Sequence, residues 1–248
     1  APPRPPNEDD IAMVQFSSGT TGKPKPVALK HRHVISNANA ILERLTHTLD
    51  EQPSGVSWLP LYHDMGLVGC VFPAVLAPGT LTLIPPEAFL AKPAIWLRAL
   101  SRTRSVISPA PNFAYALCVE RIRDEDMEGC DLSNWRYALN GAEPIAPATI
   151  RSFHERFKQW GLREEAMTPV YGLSEASLAI TMSDFDGLHR TLHIDRDTLL
   201  DGNIEPVQEG LELTSVGRAL KGFDIEIRDA QGNTMPERTV GRLWAKGP

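Results

Sequence analysis

With 248 residues, 42% of them hydrophobic, the chain can bury a substantial core as one large or two small domains. A formal net charge of -6 argues against a non-specific nucleic-acid binder, no apolar run reaches the ~18 residues of a membrane span, and no CxxC pair or HExxH motif points to a zinc site. Cys70, Cys118 and Cys130, odd in number and widely spaced, fit reduced core thiols in a cytosolic protein, and no secretory signal opens the chain.

Residues 1–10 begin Ala1-Pro2-Pro3-Arg4-Pro5-Pro6 and read as an extended proline-rich linker. Ile11 to Val14 is apolar, Val27-Ala28-Leu29 is apolar again, and the polar run between them is predicted to be a loop joining two strands. His31 and His33 are placed on a solvated turn. The spacing of Ile35, Ala38, Ile41, Leu42 and Leu45 predicts a helix over 33–49 with one apolar face. Residues 56–59 read as a strand, 69–76 as a buried apolar segment, and 80–84 as a strand stopped by Pro85-Pro86. A short helix over 93–101 has proline at its start, as helix starts allow. A strand over 105–108, ended by Pro109 and Pro111, leads to a helix over 112–123 carrying Phe113, Leu117 and Val119. A strand over 135–139 and a helix over 147–161 follow, the latter with Ile150, Phe153, Phe157 and Trp160 on its core side. From Leu211 onward the texture turns to β: the alternation of residues 223–227, the Gln231-Gly232-Asn233 turn and residues 240–244 predict hairpins.

This alternation of helices and strands predicts an α/β fold of layered sheets with flanking helices. Three parts are expected: the linker at 1–10, an α/β core over 11–210, and a β-rich subdomain over 211–248.

The run Gln15-Phe16-Ser17-Ser18-Gly19-Thr20-Thr21-Gly22-Lys23-Pro24-Lys25-Pro26 concentrates hydroxyls, glycines and lysines. Hydroxyls and glycine N–H groups donate to phosphate, and lysines balance its charge, so the run reads as a polyphosphate loop; a surface turn that binds nothing is the alternative. It is not a Walker A loop, because Pro24 follows Lys23 where that motif needs Ser or Thr. Pro60-Leu61-Tyr62-His63-Asp64-Met65-Gly66-Leu67 follows a strand, and its adjacent His and Asp could act as base, ligand or gate, or form a hydrogen-bonded pair in a polar turn. No Gly-x-Ser-x-Gly elbow supports Ser-His-Asp hydrolysis. Asn140-Gly141-Ala142-Glu143-Pro144 follows another strand, where glycine and alanine let a planar ligand lie against the backbone, unless this is an ordinary strand-to-helix turn. In Tyr171-Gly172-Leu173-Ser174-Glu175 the ring can stack on a purine, while Ser174 and Glu175 offer oxygen to Mg²⁺.

Together, in this order, these segments resemble the adenylate-forming enzymes: acyl-CoA synthetases, luciferases and peptide-synthetase adenylation domains. Within that superfamily Trp58 to Leu67, Ser108-Pro109-Ala110-Pro111-Asn112-Phe113-Ala114-Tyr115 and Asn140 to Pro144 are most similar to the fatty acyl-AMP ligases. Ser17 stands where the usual loop has threonine, and Pro26 where it has glycine, which stiffens the loop exit and removes an N–H. The resemblance implies the central part of the adenylate-forming N-terminal domain, with nucleotide and acyl sites in the 11–210 core.

It also implies ATP-dependent activation of a fatty acid to its acyl-adenylate with release of pyrophosphate, and transfer to an acyl carrier protein. Coenzyme A as acceptor, or an inactive adenylate-binding fragment, are the alternative readings. By the same resemblance Ser17, Ser18, Gly19, Thr20, Thr21, Gly22 and Lys23 hold phosphates. Asn140, Gly141, Ala142 and Glu143 form the adenine platform, Tyr171 and Gly172 place adenine, and Ser174 meets the α-phosphate. Glu175 and Thr20 hold Mg²⁺, and His63 orients or gates the substrate carboxylate. Trp58, Met65, Leu67, Phe113 and Tyr115 are candidates for the acyl pocket or for core. The stretch between Glu175 and Gly217 is long enough to hold the insertion that these ligases carry. Lys246 is expected at a strand end. Family members extend further at both ends, to a mobile C-terminal domain with a catalytic lysine, so weak or no turnover is expected from this chain alone.

Overall fold

The computed structural model describes residues 4–17, 25–46, 53–185 and 187–248. In chain order it contains β1 (Ile11–Ser17), β2 (Lys25–Lys30), α1 (His31–Thr46), β3 (Ser54–Ser57) and α2 (Asp64–Gly66). A π-helical stretch, Leu67–Val71, joins α2 to α3 (Phe72–Leu76). Then come β4 (Thr80–Leu83), α4 (Pro86–Ala91), α5 (Ala94–Thr103), β5 (Ile107–Pro111), α6 (Asn112–Arg121), β6 (Tyr137–Gly141), α7 (Pro147–Phe157), β7 (Met167–Gly172) and β8 (Ala179–Met182). The remainder is β9 (Thr191–Ile194), α8 (Arg196–Leu200), β10 (Leu211–Thr214), β11 (Arg218–Ala219), β12 (Asp224–Arg228) and β13 (Arg242–Lys246).

One seven-stranded sheet, ordered β11-β8-β7-β6-β5-β3-β4, organises the molecule. β4, β3, β5, β6 and β7 run parallel; β8 and β11 add on antiparallel. The pairs β1–β2, β9–β10 and β12–β13 are separate antiparallel ribbons. The predicted α/β architecture is therefore present. β10 and β11 are tied back to the body: Arg151 on α7 grips Glu212 on β10 with two hydrogen bonds of 2.8 and 2.7 Å, and β11 extends the main sheet.

Side-chain alternation on the strands feeds two cores. On β6, Ala138 faces one cluster while Tyr137 and Leu139 face the other. The larger cluster is aromatic: Trp96 is fully buried and meets the rings of Trp58, Phe89, Tyr115 and Trp135 at centroid distances of 5.3–6.3 Å. Edge-to-face contacts of this kind add to the area each ring removes from water. The Trp96 indole N–H donates to Ser108 Oγ (2.8 Å), whose own proton goes to the Val56 carbonyl (2.5 Å), so these two buried polar side chains are paired.

Several sequence expectations need correction. His31 and His33 open α1 rather than a turn, and His33 Nδ1 accepts from the Lys30 N–H at 3.3 Å. On α1 the buried face is Val34, Asn37, Ala38, Ala40, Ile41 and Leu45: Ala38, Ile41 and Leu45 lie on it as expected, while Ile35 is exposed. The strand at 56–59 ends at Ser57, and Trp58 and Leu59 are buried beyond it. The segment 69–76 is helical, with Val75 and Leu76 exposed. β5 runs through Pro109 and ends at Pro111, directly before α6. The helix expected over 93–101 is present as α5, which starts directly after Pro93. All three cysteines are free thiols, Cys70 and Cys118 buried and Cys130 half-buried. No helix among the described residues is long and apolar enough to cross a membrane.

Candidate active site

The sheet has a switch point. From β3 the chain steps outward to β4, then returns to the other side of β3 to lay down β5, β6 and β7. Ligands of open α/β sheets bind at such a reversal, outside the carboxyl ends of the strands. Here the reversal is also loosely laced: β3 and β5 pair only at Gly55 and Ile107, and Pro109 and Pro111 on β5 have no N–H to donate. A cavity of about 580 Å³ opens beside it.

Its wall takes Tyr62, His63, Asp64 and Met65 from the segment after β3, Pro109 from β5, Leu139 from β6 and Ala142 just beyond it. Val170, Tyr171 and Gly172 come from β7, and Leu173, Ser174 and Glu175 from the turn that follows. Gln15 and Phe16 of β1, Ile41 of α1, Gly69, and Leu178, Ala179 and Met182 at β8 complete it. Polar groups gather at one part of the wall, and Ile41, Leu139, Val170, Ala179 and Met182 make the rest apolar, the mix expected of a ligand site.

The sequence-predicted residues separate into three groups. His63, Ala142, Tyr171, Gly172, Ser174 and Glu175 meet on the one cavity, although the Tyr62–Met65 and Ser174–Glu175 segments lie far apart in the chain. Asn140, Gly141 and Glu143 stand beside the cavity and do not line it. Asn140 is fully buried and its Nδ2 donates to Asn112 Oδ1 at 3.3 Å, while Glu143 Oε1 accepts the Phe113 N–H at 2.6 Å and so holds the start of α6. Ser17 is the last residue of β1, and Ser18, Gly19, Thr20, Thr21, Gly22 and Lys23 lie outside the described residues, between paired strands.

Two glycines are required by close backbone approach. A Cβ on Gly172 would stand 1.8 Å from the Leu178 carbonyl oxygen, and one on Gly141 2.7 Å from Val170 Cγ2. Ala142 adopts φ +67°, an uncommon left-handed conformation for a side-chain-bearing residue at the point where the chain leaves β6 for the cavity.

Asp64 is the hub of the polar wall. Its Oδ1 accepts the Met65 N–H at 2.7 Å and lies 2.8 Å from His63 Nδ1; its Oδ2 accepts the Ser174 hydroxyl at 2.5 Å. The Met65 N–H is farther from His63 Nδ1 (3.2 Å) than from the carboxylate, which leaves Nδ1–H to donate to Asp64. The hydrogen bond to Asp64, and its charge, raise the His63 pKa above the ordinary imidazole value against a smaller opposing effect of burial. Burial alone would raise Asp64, but hydrogen bonds from His63 and Ser174 outweigh it and hold the carboxyl below its usual range. Both directions favour the charged forms of the pair.

Of the acyl-pocket candidates only Met65 lines the cavity. Trp58 and Tyr115 belong to the aromatic core, Tyr115 donating its hydroxyl to the Leu139 carbonyl at 3.0 Å, and Phe113 is exposed. Sequence reasoning missed Ile41, Leu178, Ala179 and Met182. Gln15, which opens the run read as a polyphosphate loop, lies in β1, is buried and donates to the Tyr62 carbonyl at 3.2 Å.

A family model described as AMP-binding enzyme matches residues 1–248. A 4-hydroxyphenylalkanoate adenylyltransferase of Mycobacterium marinum is 36% identical over 249 residues, covering 98% of this chain and 40% of that protein. The medium-chain-fatty-acid–[acyl-carrier-protein] ligase TtuA of Teredinibacter turnerae is 36% identical over 245 residues, covering 96% of this chain and 38% of that one. Among solved structures, a fatty acyl-adenylate ligase from Legionella pneumophila in complex with acyl adenylate and pyrophosphate superposes with a TM-score of 0.93 at 34% identity, covering 99% of this chain and 43% of that one. The chain thus spans about 40% of the length of the curated relatives it matches. With the family model matched along its whole length and the fold shared with fatty acyl-adenylate ligases, this chain belongs to the AMP-binding enzyme family.

Proposed function

We propose that this chain forms the nucleotide- and carboxylate-binding core of an enzyme that activates a fatty acid with ATP, giving an acyl-adenylate and pyrophosphate. The observation that carries the reading is the convergence of His63, Tyr171, Ser174 and Glu175 on one cavity whose remaining wall is mostly apolar. A carboxylate oxygen would attack the α-phosphorus as pyrophosphate leaves. Both reactants are anions, so the protein's work is alignment and neutralisation rather than covalent chemistry.

In this reading His63 meets the substrate carboxylate, Tyr171 and the backbone at Gly141 and Ala142 place adenine, and Ser174 faces the α-phosphate. Glu175 is an exposed carboxylate on the cavity wall, and no cluster of three or more His, Cys, Asp or Glu side chains able to hold a metal occurs among the described residues. That donor set suits Mg²⁺, which takes most of its oxygens from phosphates and water. Glu175 would hold it with Thr20, and the ion would offset polyphosphate charge. The apolar part of the wall would take the alkyl chain. An acyl carrier protein is the acceptor we favour, as the name of the Teredinibacter relative includes one; coenzyme A is the alternative.

Thermal unfolding with a non-hydrolysable acyl-adenylate mimic tests the site. A ligand at a hundred times its dissociation constant stabilises the native state by about 2.7 kcal/mol. A rise in Tm that Tyr171→Ala diminishes supports the reading; equal rises in both proteins would overturn the placement of adenine.

A further inference from the structure

His63, Asp64 and Ser174 form a continuous hydrogen-bonded chain that joins the two functional segments of the cavity. Its order is unlike that of a hydrolytic triad. There an imidazole stands between hydroxyl and carboxylate and takes the hydroxyl proton. Here the carboxylate stands in the middle: Ser174 donates to one oxygen, His63 donates to the other, and the imidazole is not in line with the Ser174 hydroxyl. Such a chain makes no nucleophile. It is suited to fixing two donors relative to each other.

Asp64 is well placed for this. Its side chain is only 9% exposed, and it receives the Met65 N–H in addition to His63 and Ser174, so three donors converge on one carboxylate. With Nδ1–H committed to Asp64, Nε2 is a donor to a ligand when the ring is protonated, the state that the hydrogen bond to Asp64 favours. Ser174 is adjacent to Glu175 in the turn after β7, so a shift of its hydroxyl is a shift of the segment that also carries Glu175. We propose that Asp64 is a positioning residue that couples the two halves of the site, holding His63 with Nε2–H presented to the substrate carboxylate and the Ser174 hydroxyl in register on the nucleotide side. The inference rests on the proposed function and adds to it a residue that touches neither reactant.

The test uses the full-length enzyme that carries this chain. Asp64→Asn keeps a side-chain acceptor and the shape but removes the charge; Asp64→Ala removes both. Fatty-acid-dependent pyrophosphate release is measured against pH, and the His63 imidazole is titrated by NMR, its resonance assigned with His63→Gln. The other ionisable side chains on the described cavity wall are Glu175, Tyr62 and Tyr171, and they are unchanged in these variants.

Because a hydrogen bond from a charged donor is worth more than a neutral one, Asp64→Asn is expected to raise KM for the fatty acid roughly tenfold, with a much smaller change in kcat. The rise in KM with pH should begin at lower pH than in the wild type, and His63 should titrate lower. A folded Asp64→Asn enzyme whose KM profile and His63 titration overlay the wild type would overturn the coupling. If the variants fail to fold, an ordinary imidazole titration for His63 in the wild type overturns it instead. A wild type that releases no pyrophosphate with any fatty acid would overturn the function; the His63 titration needs no substrate and still reports on Asp64.

Discussion

Asn37 on α1 clasps the backbone of Ala179 on β8 with both ends of its amide: Nδ2 donates to the carbonyl at 2.7 Å, and Oδ1 accepts the N–H at 3.1 Å. The side chain is 1% exposed and acts as a strand neighbour to β8. Ala179 lines the cavity, as does Ile41 one turn along α1, so the clasp fixes the spacing of two apolar walls. Asn37→Leu leaves the Ala179 N–H and carbonyl unpaired in a buried place, at a cost of roughly 1–3 kcal/mol for each group left so. Urea unfolding should show that loss, and Asn37→Asp should be rescued only in part because it keeps the acceptor and loses the donor.

Gly172→Ala is expected to be more damaging than its size suggests. The new methyl would meet the Leu178 carbonyl oxygen at 1.8 Å, and a backbone atom cannot swing aside as a side chain can. The β7–β8 turn, held by the Leu173 N–H on that same carbonyl, must move, and Tyr171 and Ser174 with it. A fall in Tm accompanied by loss of protection from the acyl-adenylate mimic is the outcome to measure; unchanged protection would refute the role of this turn.

Removing the Glu175 carboxylate tests the metal. Glu175→Ala should lower pyrophosphate release by orders of magnitude while leaving the unfolding midpoint near that of the wild type, since the side chain is exposed. Near-normal turnover at saturating Mg²⁺ would eliminate it as a ligand.

The His63–Asp64 pair gives stability a pH dependence of known sign. The folded-state His63 pKa lies above its unfolded value, so the pair's contribution is complete below the ordinary imidazole pKa and is lost as pH rises through the raised one. Asp64 behaves oppositely, losing its contribution only in acid as pH falls through its depressed value. His63 is half exposed, so solvent screens the effect. Comparing wild type with His63→Gln by urea unfolding, the gap in stability should be wider at pH about 6 than at about 9. An equal gap at both would refute the ionised pair.

Thiol labelling reads the core directly. Burial pushes the Cys70 pKa up to about 11 and the Cys118 pKa higher still, and both residues are buried. Cys130 is half-buried. A thiol reagent at neutral pH should therefore label Cys130 first, and Cys70 and Cys118 only on unfolding, because the thiolate is the reacting species. Rapid labelling of Cys118 in the native protein would contradict the packing of α6 on the sheet.

Local chemistry made much of the fold legible. Pro93 announced the start of α5, the alternation of residues 223–227 announced β12, and the repeating helix and strand texture announced the α/β class. It failed where tertiary structure overrides local preference. Pro109 and Pro111 read as a stop, yet β5 continues through Pro109 and ends only at Pro111. Ile35 looked like a core residue and Asn37 did not, because only the finished sheet shows which backbone groups need a partner. The site was legible as motifs but not as roles. Glu143 sits in a binding motif with its carboxylate committed to α6, while Asp64, seen only as the neighbour of His63, proves to be the hub of the wall. The apolar wall from α1 and β8 was hidden because neither segment carries a signature.

The prolines of β5 have one further consequence. A sheet that parts at a ligand site is at risk of zipping shut, either in its own folding or by admitting a foreign strand. Backbone amides drive both events, and at Pro109 and Pro111 there is no amide hydrogen to offer. At these two positions the strand is kept from donating by covalent structure, at no recurring conformational cost and whatever the nearby side chains become.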